Sequence, residues 1–190
     1  MKVILIAGSK GGSGRSTLAI NLAYCLAQEY KVCTSDIDVQ GSLTKFKDIT
    51  PIEVVSLDDV LKGKIKGFDV ALIDCPPYLT NKLPEIIKAS DFVLVPVKSG
   101  FFDAVAVKDT LAMLKGKNHG IVLTMVQNRT SMTKEIIDIL SEYGSPILNQ
   151  QISQRVSYAR SPVTGSVFSS DDEKAKEEIT SLTIEIFSKI

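Results

Sequence analysis

The chain has 190 residues, 44% of them hydrophobic and 23% charged, with 22 Lys+Arg matched by 22 Asp+Glu. That length is about one domain of the usual roughly 100–200 residues, enough to bury a core without a disulfide or metal staple. The even balance excludes disorder by composition and any global basic attraction for nucleic acid, and leaves open a local basic patch. Cys25, Cys33 and Cys75 make an odd set without CxxC spacing, as expected of a reducing, cytoplasmic protein, and a lone His119 excludes a His-based triad or a Cys/His zinc site.

Val3–Ala7 is an apolar run ended by glycines, too short for a signal peptide or a membrane span, and reads as a buried parallel strand. Ser16–Glu29 follows with helical spacing of Leu18, Ala19, Leu22, Ala23, Leu26 and Ala27. Val32–Ile37 is a short strand ending in acids, and Phe68–Ile73 a strand stopped by Asp74-Cys75-Pro76-Pro77. Pro84–Ala89 reads as a helix, Phe92–Val97 as a strand, Phe102–Leu114 as a helix, Gly120–Val126 as a strand and Thr133–Tyr143 as a helix. After a less regular stretch, Asp171–Ile190 is expected to be the last helix, with Ala175, Ile179, Leu182, Ile186 and Ile190 on its apolar face. No repeat or linker interrupts this order, so residues 1–190 are expected to form a single domain. The alternation predicts an α/β fold with a mostly parallel, twisted sheet and helices on both faces. Ligands of such sheets sit at the carboxyl ends of the strands, here just after Ala7, Ile37, Ile73, Val97 and Val126.

The first of those ends carries Lys10-Gly11-Gly12-Ser13-Gly14-Arg15-Ser16-Thr17. Glycines let successive N–H groups point inward as an anion nest, and the helix N-terminus at Ser16 adds its dipole, so a polyphosphate is the natural guest. The Ser16 hydroxyl can ligate Mg²⁺ and Thr17 can add a phosphate hydrogen bond. The ordinary pattern G-x-x-x-x-G-K-[ST] is broken by Ser9 in place of glycine and Arg15 in place of lysine, and the alternative is a tight connection only. The dinucleotide pattern G-x-G-x-x-G is absent in the required register, which disfavours hydride transfer. Asp74 closes an apolar strand, the position for a carboxylate in a magnesium shell. Asp36 and Asp38 end the second strand, where they can orient a water attacking a terminal phosphate. The competing reading makes these acids solvated turn residues.

These residues resemble the ParA/MinD family of deviant Walker-type ATPases, and among them the small ParA proteins of plasmid partition. Lys10-Gly11-Gly12-Ser13-Gly14-x-Ser16-Thr17 is similar to the family's K-G-G-x-G-K-[ST]-T. Asp36-Ile37-Asp38-Val39-Gln40-Gly41-Ser42 resembles D-x-D-P-Q-G-S, with Val39 for proline, and Ala71–Pro77 resembles h-h-h-D-x-P-P. Val93–Val97 followed by Phe102-Asp103, then Gln154–Tyr158 and Gly165–Ser170, continue the likeness in order along nearly the whole chain.

The resemblance implies a P-loop NTPase fold that binds ATP or ADP with Mg²⁺. It places phosphate on the Gly11, Gly12, Ser13 and Gly14 backbone, with Arg15 and Thr17 completing the loop. It gives Mg²⁺ to Ser16, with Asp74 acting through the metal's water, and has Asp38 position the attacking water. Lys10 would reach the partner's phosphates across a nucleotide-sandwich homodimer, and Asn128 would touch adenine. It further implies a cytoplasmic, nucleoid-associated ATPase that binds DNA without sequence preference and segregates a plasmid or similar replicon. A centromere-binding ParB/ParG-like partner would stimulate its hydrolysis.

Arg15 departs from the pattern: arginine keeps lysine's charge but is bulkier, planar and differently directed, so nucleotide binding and hydrolysis can part company. The alternative function is therefore a nucleotide-binding scaffold with little or no hydrolysis. Arg155, Arg160, Lys174 and Lys176 are the candidate DNA contacts, against an ordinary mixed surface shared with Asp171, Asp172, Glu173, Glu177 and Glu178. Lys62, Lys64 and Lys66 read as a solvated loop. A MinD-like membrane-positioning ATPase and a relative that places another cargo are the remaining readings. The acid-rich last helix would be repelled by anionic lipid, so its apolar face is expected to pack on the sheet and no membrane partner is expected.

Overall fold

The computed structural model describes residues 1–8, 10–36, 52–75, 81–127 and 131–190, and for Asp36 and Ser131 the backbone alone. The elements in chain order begin with β1 (Lys2–Ile6), α1 (Arg15–Leu26), β2 (Val32–Asp36), β3 (Glu53–Val54), α2 (Leu57–Leu61), β4 (Val70–Asp74) and α3 (Leu83–Ala89). They continue with β5 (Phe92–Lys98), α4 (Phe101–Ala106), α5 (Lys108–Met113), β6 (His119–Thr124), α6 (Ser131–Ser141), α7 (Val156–Thr164) and α8 (Glu173–Phe187).

The six strands form a parallel sheet in the order β3-β2-β4-β1-β5-β6. From β1 the chain runs outward to β2 and β3, returns to β4, and leaves on the other side through β5 and β6. The carboxyl ends of β1 and β4 are thereby neighbours at the middle of the sheet, with Ile6 opposite Asp74 and Asp74 opposite Asp36.

Both sheet faces are covered, which is why the strands are continuous apolar runs rather than alternating ones. Ile4, Ile6, Leu72, Leu94 and Val122 point to one side, where Leu18 and Leu22 of α1, Tyr158 of α7 and Ile179 and Leu182 of α8 meet them. Val3, Leu5, Ile73, Val95 and Leu123 point to the other, under Ile86 of α3, Leu111 of α5 and Leu140 of α6. Among the described residues no helix is long and apolar enough to cross a membrane.

The expected elements are all present, with ends shifted by a few residues. The helix expected over Phe102–Leu114 is divided at Val107, whose backbone keeps helical dihedrals (φ −76°, ψ −16°), so α4 and α5 follow one another without reversing. The last helix packs its apolar face, Ala175, Ile179, Leu182 and Ile186, within the layer shared with α1. The stretch left irregular in the sequence contains α7. Its apolar residues misled the periodicity: Val156 (68% exposed) and Val163 (76%) face solvent, while Ser161 is buried.

Ser161 is inside because Asn21 needs it. The Asn21 amide, fully buried on α1, donates to Thr17 O (2.7 Å) and Ser161 Oγ (2.8 Å), and its oxygen accepts from Val167 N–H (2.7 Å). Three segments meet on one side chain, and removing it strands buried partners. Asn21→Ala is expected to cost about 2–4 kcal/mol of stability, read as a lower urea midpoint at unchanged m-value.

Asp172 caps α8, accepting from Ala175 N–H (3.3 Å), and takes two guanidinium bonds from Arg155 (both 2.7 Å) and one from Ser157 Oγ (2.6 Å). The Arg155 hydrogen bonds are the main reason its carboxyl is held well below the usual range. A depressed folded-state value contributes stability that is fully present above about pH 4, the unfolded value, and is lost as pH falls toward the folded one. Asp172→Asn should therefore flatten the acid side of the stability curve below about pH 4, measured by urea midpoints against pH.

Candidate phosphate-binding site

The turn after β1 is built around left-handed glycines. Gly12 (φ 74°) and Gly14 (φ 88°) both adopt conformations that L side chains resist, and Gly14 is the N-cap of α1. Among the described residues, chain neighbours aside, no atom lies within 4 Å of where a Cβ would sit on either, so backbone angle rather than crowding is what requires glycine. The cap offers no side-chain hydrogen bond and the first turn of α1 holds no acid. Gly14 thus sets the head of α1, with its helix dipole, at the turn, which is the chemistry of a phosphate site.

Two side chains brace this loop, those of Thr124 and Arg15. Thr124 Oγ1, at the end of β6, donates to Ser13 O (3.0 Å). Arg15, only 8% exposed, turns its guanidinium inward: Nη1 donates to Gly8 O (3.0 Å) and Lys10 O (2.6 Å), with Ser13 Oγ at 3.4 Å. The cation lies inside the curl of the turn, tied to its carbonyls.

Lys10 leaves the loop in another direction, its Nζ 3.1 Å from Asp103 Oδ2 on α4. Ser16 and Thr17 are half-buried on the first turn of α1. Asp74, 4% exposed, ends β4 beside β1. Ser16 and Asp74 supply one hydroxyl and one carboxylate, the small protein share with which Mg²⁺ is usually held while phosphates and water complete its shell. Asp38 and Asn128 lie outside the described residues.

Cys75 follows Asp74 within the field of Arg15, yet burial dominates and pushes its thiol up to about 11. Burial does the same to Cys33, also about 11. Both are packing thiols at neutral pH.

From Gly14 and Thr17 a cavity of about 520 Å³ runs over Leu18 to Ile152, Gln154 and Tyr158. Its apolar floor next to a phosphate-type turn suits a flat aromatic ring attached to a phosphate chain. Met125 forms part of its wall in a left-handed conformation (φ 53°), rare for a residue with a side chain. Most of the residues lining the wall after Ile152 belong to the segment Gln154–Tyr158, a motif of the sequence whose place beside α1 spacing does not encode; Ser153 and Ala159 complete it.

The four candidate DNA contacts do not form one free cationic cluster. Arg155 is bound to Asp172, and Lys176 Nζ to Glu173 Oε1 (2.7 Å). Arg160 and Lys174 are exposed. Lys62, Lys64 and Lys66 are exposed after α2, as a solvated loop would be.

Residues 4–168 match the family model of the CobQ/CobB/MinD/ParA nucleotide binding domain. The chain is similar to the maintenance of carboxysome distribution protein A of Halothiobacillus neapolitanus, at 26% identity over 96% of this chain and 95% of that protein. It is also similar to the chromosome partitioning protein ParA of Caulobacter vibrioides, at 25% identity over 87% and 85% of the two chains. The solved structure of the septum site-determining protein MinD of Pyrococcus horikoshii, complexed with Mg-ADP, shares the fold with a TM-score of 0.74 at 19% identity, covering 97% of this chain and 95% of that one. With a match of that extent over the glycine turn and the strands that carry it, this chain belongs to the CobQ/CobB/MinD/ParA family of nucleotide-binding domains, the family of the ParA/MinD ATPases.

Proposed function

We propose that this chain is a cytoplasmic, Mg²⁺-dependent ATPase of ParA type that closes into a homodimer on ATP and binds DNA without sequence preference. It segregates a plasmid or similar replicon together with a centromere-binding ParB/ParG-like partner. The observation that carries the nucleotide part is the turn of left-handed Gly12 and Gly14 at the head of α1, opening into a cavity that begins at Gly14 and Thr17. The segregation part rests on likeness to partition proteins, and the carboxysome-distribution relative makes another cargo the nearest competing role.

In this reading the Gly11–Gly14 backbone and the first N–H groups of α1 hold the phosphates, and Ser16 and Asp74 hold Mg²⁺. The metal would neutralise charge building between the phosphates and the leaving group. Asp38 orients the attacking water, and Asn128 meets the base. Lys10 serves the partner protomer, which requires it to leave Asp103. Of the proposed DNA contacts, Arg160 and Lys174 are exposed, while Arg155 and Lys176 must first give up Asp172 and Glu173.

The scaffold reading has its own observation: Arg15 Nη1 is bonded to the carbonyls of Gly8 and Lys10 rather than directed outward. Transition-state charge is stabilised by placement, so a cation tied to the loop contributes little to turnover. Steady-state ATP hydrolysis with Mg²⁺ and DNA, run beside nucleotide binding, separates the two. Turnover by the unaltered chain that falls about 100-fold or more in Asp38→Ala supports the ATPase. Binding without turnover, with hydrolysis gained in Arg15→Lys, replaces it by the scaffold, and absence of nucleotide binding overturns both.

Breaking the Lys10–Asp103 pair should favour the dimer. Asp103→Asn is expected to bring on ATP-dependent dimerisation at lower ATP concentration, measured by light scattering across an ATP titration. An unchanged midpoint would remove Asp103 from the account.

A further inference from the structure

The cavity beside the glycine turn has a wall that belongs to neither the turn nor the sheet proper, in residues 148–158, which run from the stretch after α6 into the first turn of α7. On one side this segment pairs with β6. Leu148 N–H donates to Ile121 O (2.8 Å), Ile152 N–H to Leu123 O (2.9 Å) and Gln154 N–H to Val126 O (3.0 Å). On the other side three of the intervening N–H groups, those of Asn149, Gln150 and Ser153, go to carboxylates of α8. Glu185 accepts from Asn149 N–H (2.8 Å) and Gln150 N–H (2.9 Å). Glu178 accepts from Ser153 N–H (3.0 Å), Ser153 Oγ (2.5 Å) and Tyr158 OH (2.9 Å).

Glu178 is the one set deepest, at 7% exposed. A carboxylate taken out of water is tolerated only when its oxygens are satisfied, and three donors from the wall do that. Its presence raises the Tyr158 hydroxyl, which burial already pushes up, so that group stays a donor at any ordinary pH. Ser153 and Tyr158 flank Gln154, Arg155 and Val156, all of which line the cavity opposite Leu18. The family match ends at residue 168, before α8 begins, so Glu178 lies outside the matched pattern.

We infer that Glu178 is a positioning residue for the nucleoside end of the ligand: through Ser153 and Tyr158 it fixes the wall that faces α1, and so sets the width of the slot for the base. The inference rests on the nucleotide reading above. Glu178 touches the wall and not the ligand, and the phosphate turn is held separately by Arg15 and Thr124. Loss of Glu178 should therefore weaken recognition of the base without weakening recognition of phosphate.

The test is calorimetric titration of the full chain with Mg-ATP and, separately, with inorganic tripolyphosphate and Mg²⁺. Glu178→Ala is expected to weaken ATP by about tenfold or more, since both Ser153 donors lose their acceptor and Tyr158 keeps only the Ala175 carbonyl. Tripolyphosphate affinity should stay within about twofold, because the turn's own hydrogen bonds are untouched. Glu178→Gln, which keeps a carbonyl acceptor for Ser153, should recover most of the ATP affinity. Tyr158→Phe removes one donor and should weaken ATP alone by a smaller factor, and it serves where Glu178→Ala does not fold. Equal loss of both ligands in a folded variant, or unchanged ATP affinity, overturns the positioning role. An unaltered chain that binds tripolyphosphate but not ATP, or neither ligand, overturns the nucleotide reading and this inference with it.

Discussion

Gly14 is the constraint on which the site depends. A helix that begins on serine, threonine or aspartate spends its first N–H groups on its own cap. Here the cap is a glycine at φ 88°, a conformation that costs other residues roughly 1–2 kcal/mol, and it has no side chain to fold back. Gly14 therefore takes up none of the donors at the head of α1 with a side chain of its own. The strand order follows usefully from there: β1 delivers the turn to the middle of the sheet, β4 sets Asp74 beside it, and β6 supplies the Thr124 bond that holds Ser13.

Arg15 gives that turn a property a lysine would not. Lysine is a point charge whose three donors swing freely, whereas a guanidinium is a rigid fork suited to several acceptors at once. With Nη1 on two loop carbonyls, the turn carries its own cross-brace before any anion arrives. The positive charge still lies under the nest and still attracts phosphate. Attraction depends on net charge at a distance, while catalysis depends on where the charge sits when the bond breaks. Binding and turnover are therefore separable here, which is why the two functional readings diverge on one side chain.

Most of the fold was legible because buried parallel strands are unbroken apolar runs and α1 keeps a clear helical face. The glycine turn and Asp74 were legible for a different reason: each punctuates the end of such a strand. What was missed fails for identifiable causes. β3 has two residues and α2 five, too short to show a period. α7 presents valines to water and a serine to the core, because Asn21 recruits Ser161, so its pattern points the wrong way. The pairing of Lys10 with Asp103 and of Arg155 with Asp172 joins residues 93 and 17 positions apart, respectively, and only the folded chain brings them together.

The acids of the last helix show how charge in a sequence can be misassigned. Read along the chain, Asp171 to Glu178 look like a solvated face that dilutes the neighbouring cations. In the fold, Asp172, Glu178 and Glu185 are acceptors for a wall whose N–H groups β6 satisfies only in part. Glu178 and Glu185 stand seven residues apart, two helical turns, and so reach along one side of α8 toward the same segment. Their carboxylates are taken up in hydrogen bonds to the wall, as Asp172 is with Arg155. Of the four cations in this part of the sequence, Arg160 and Lys174 are the ones left exposed.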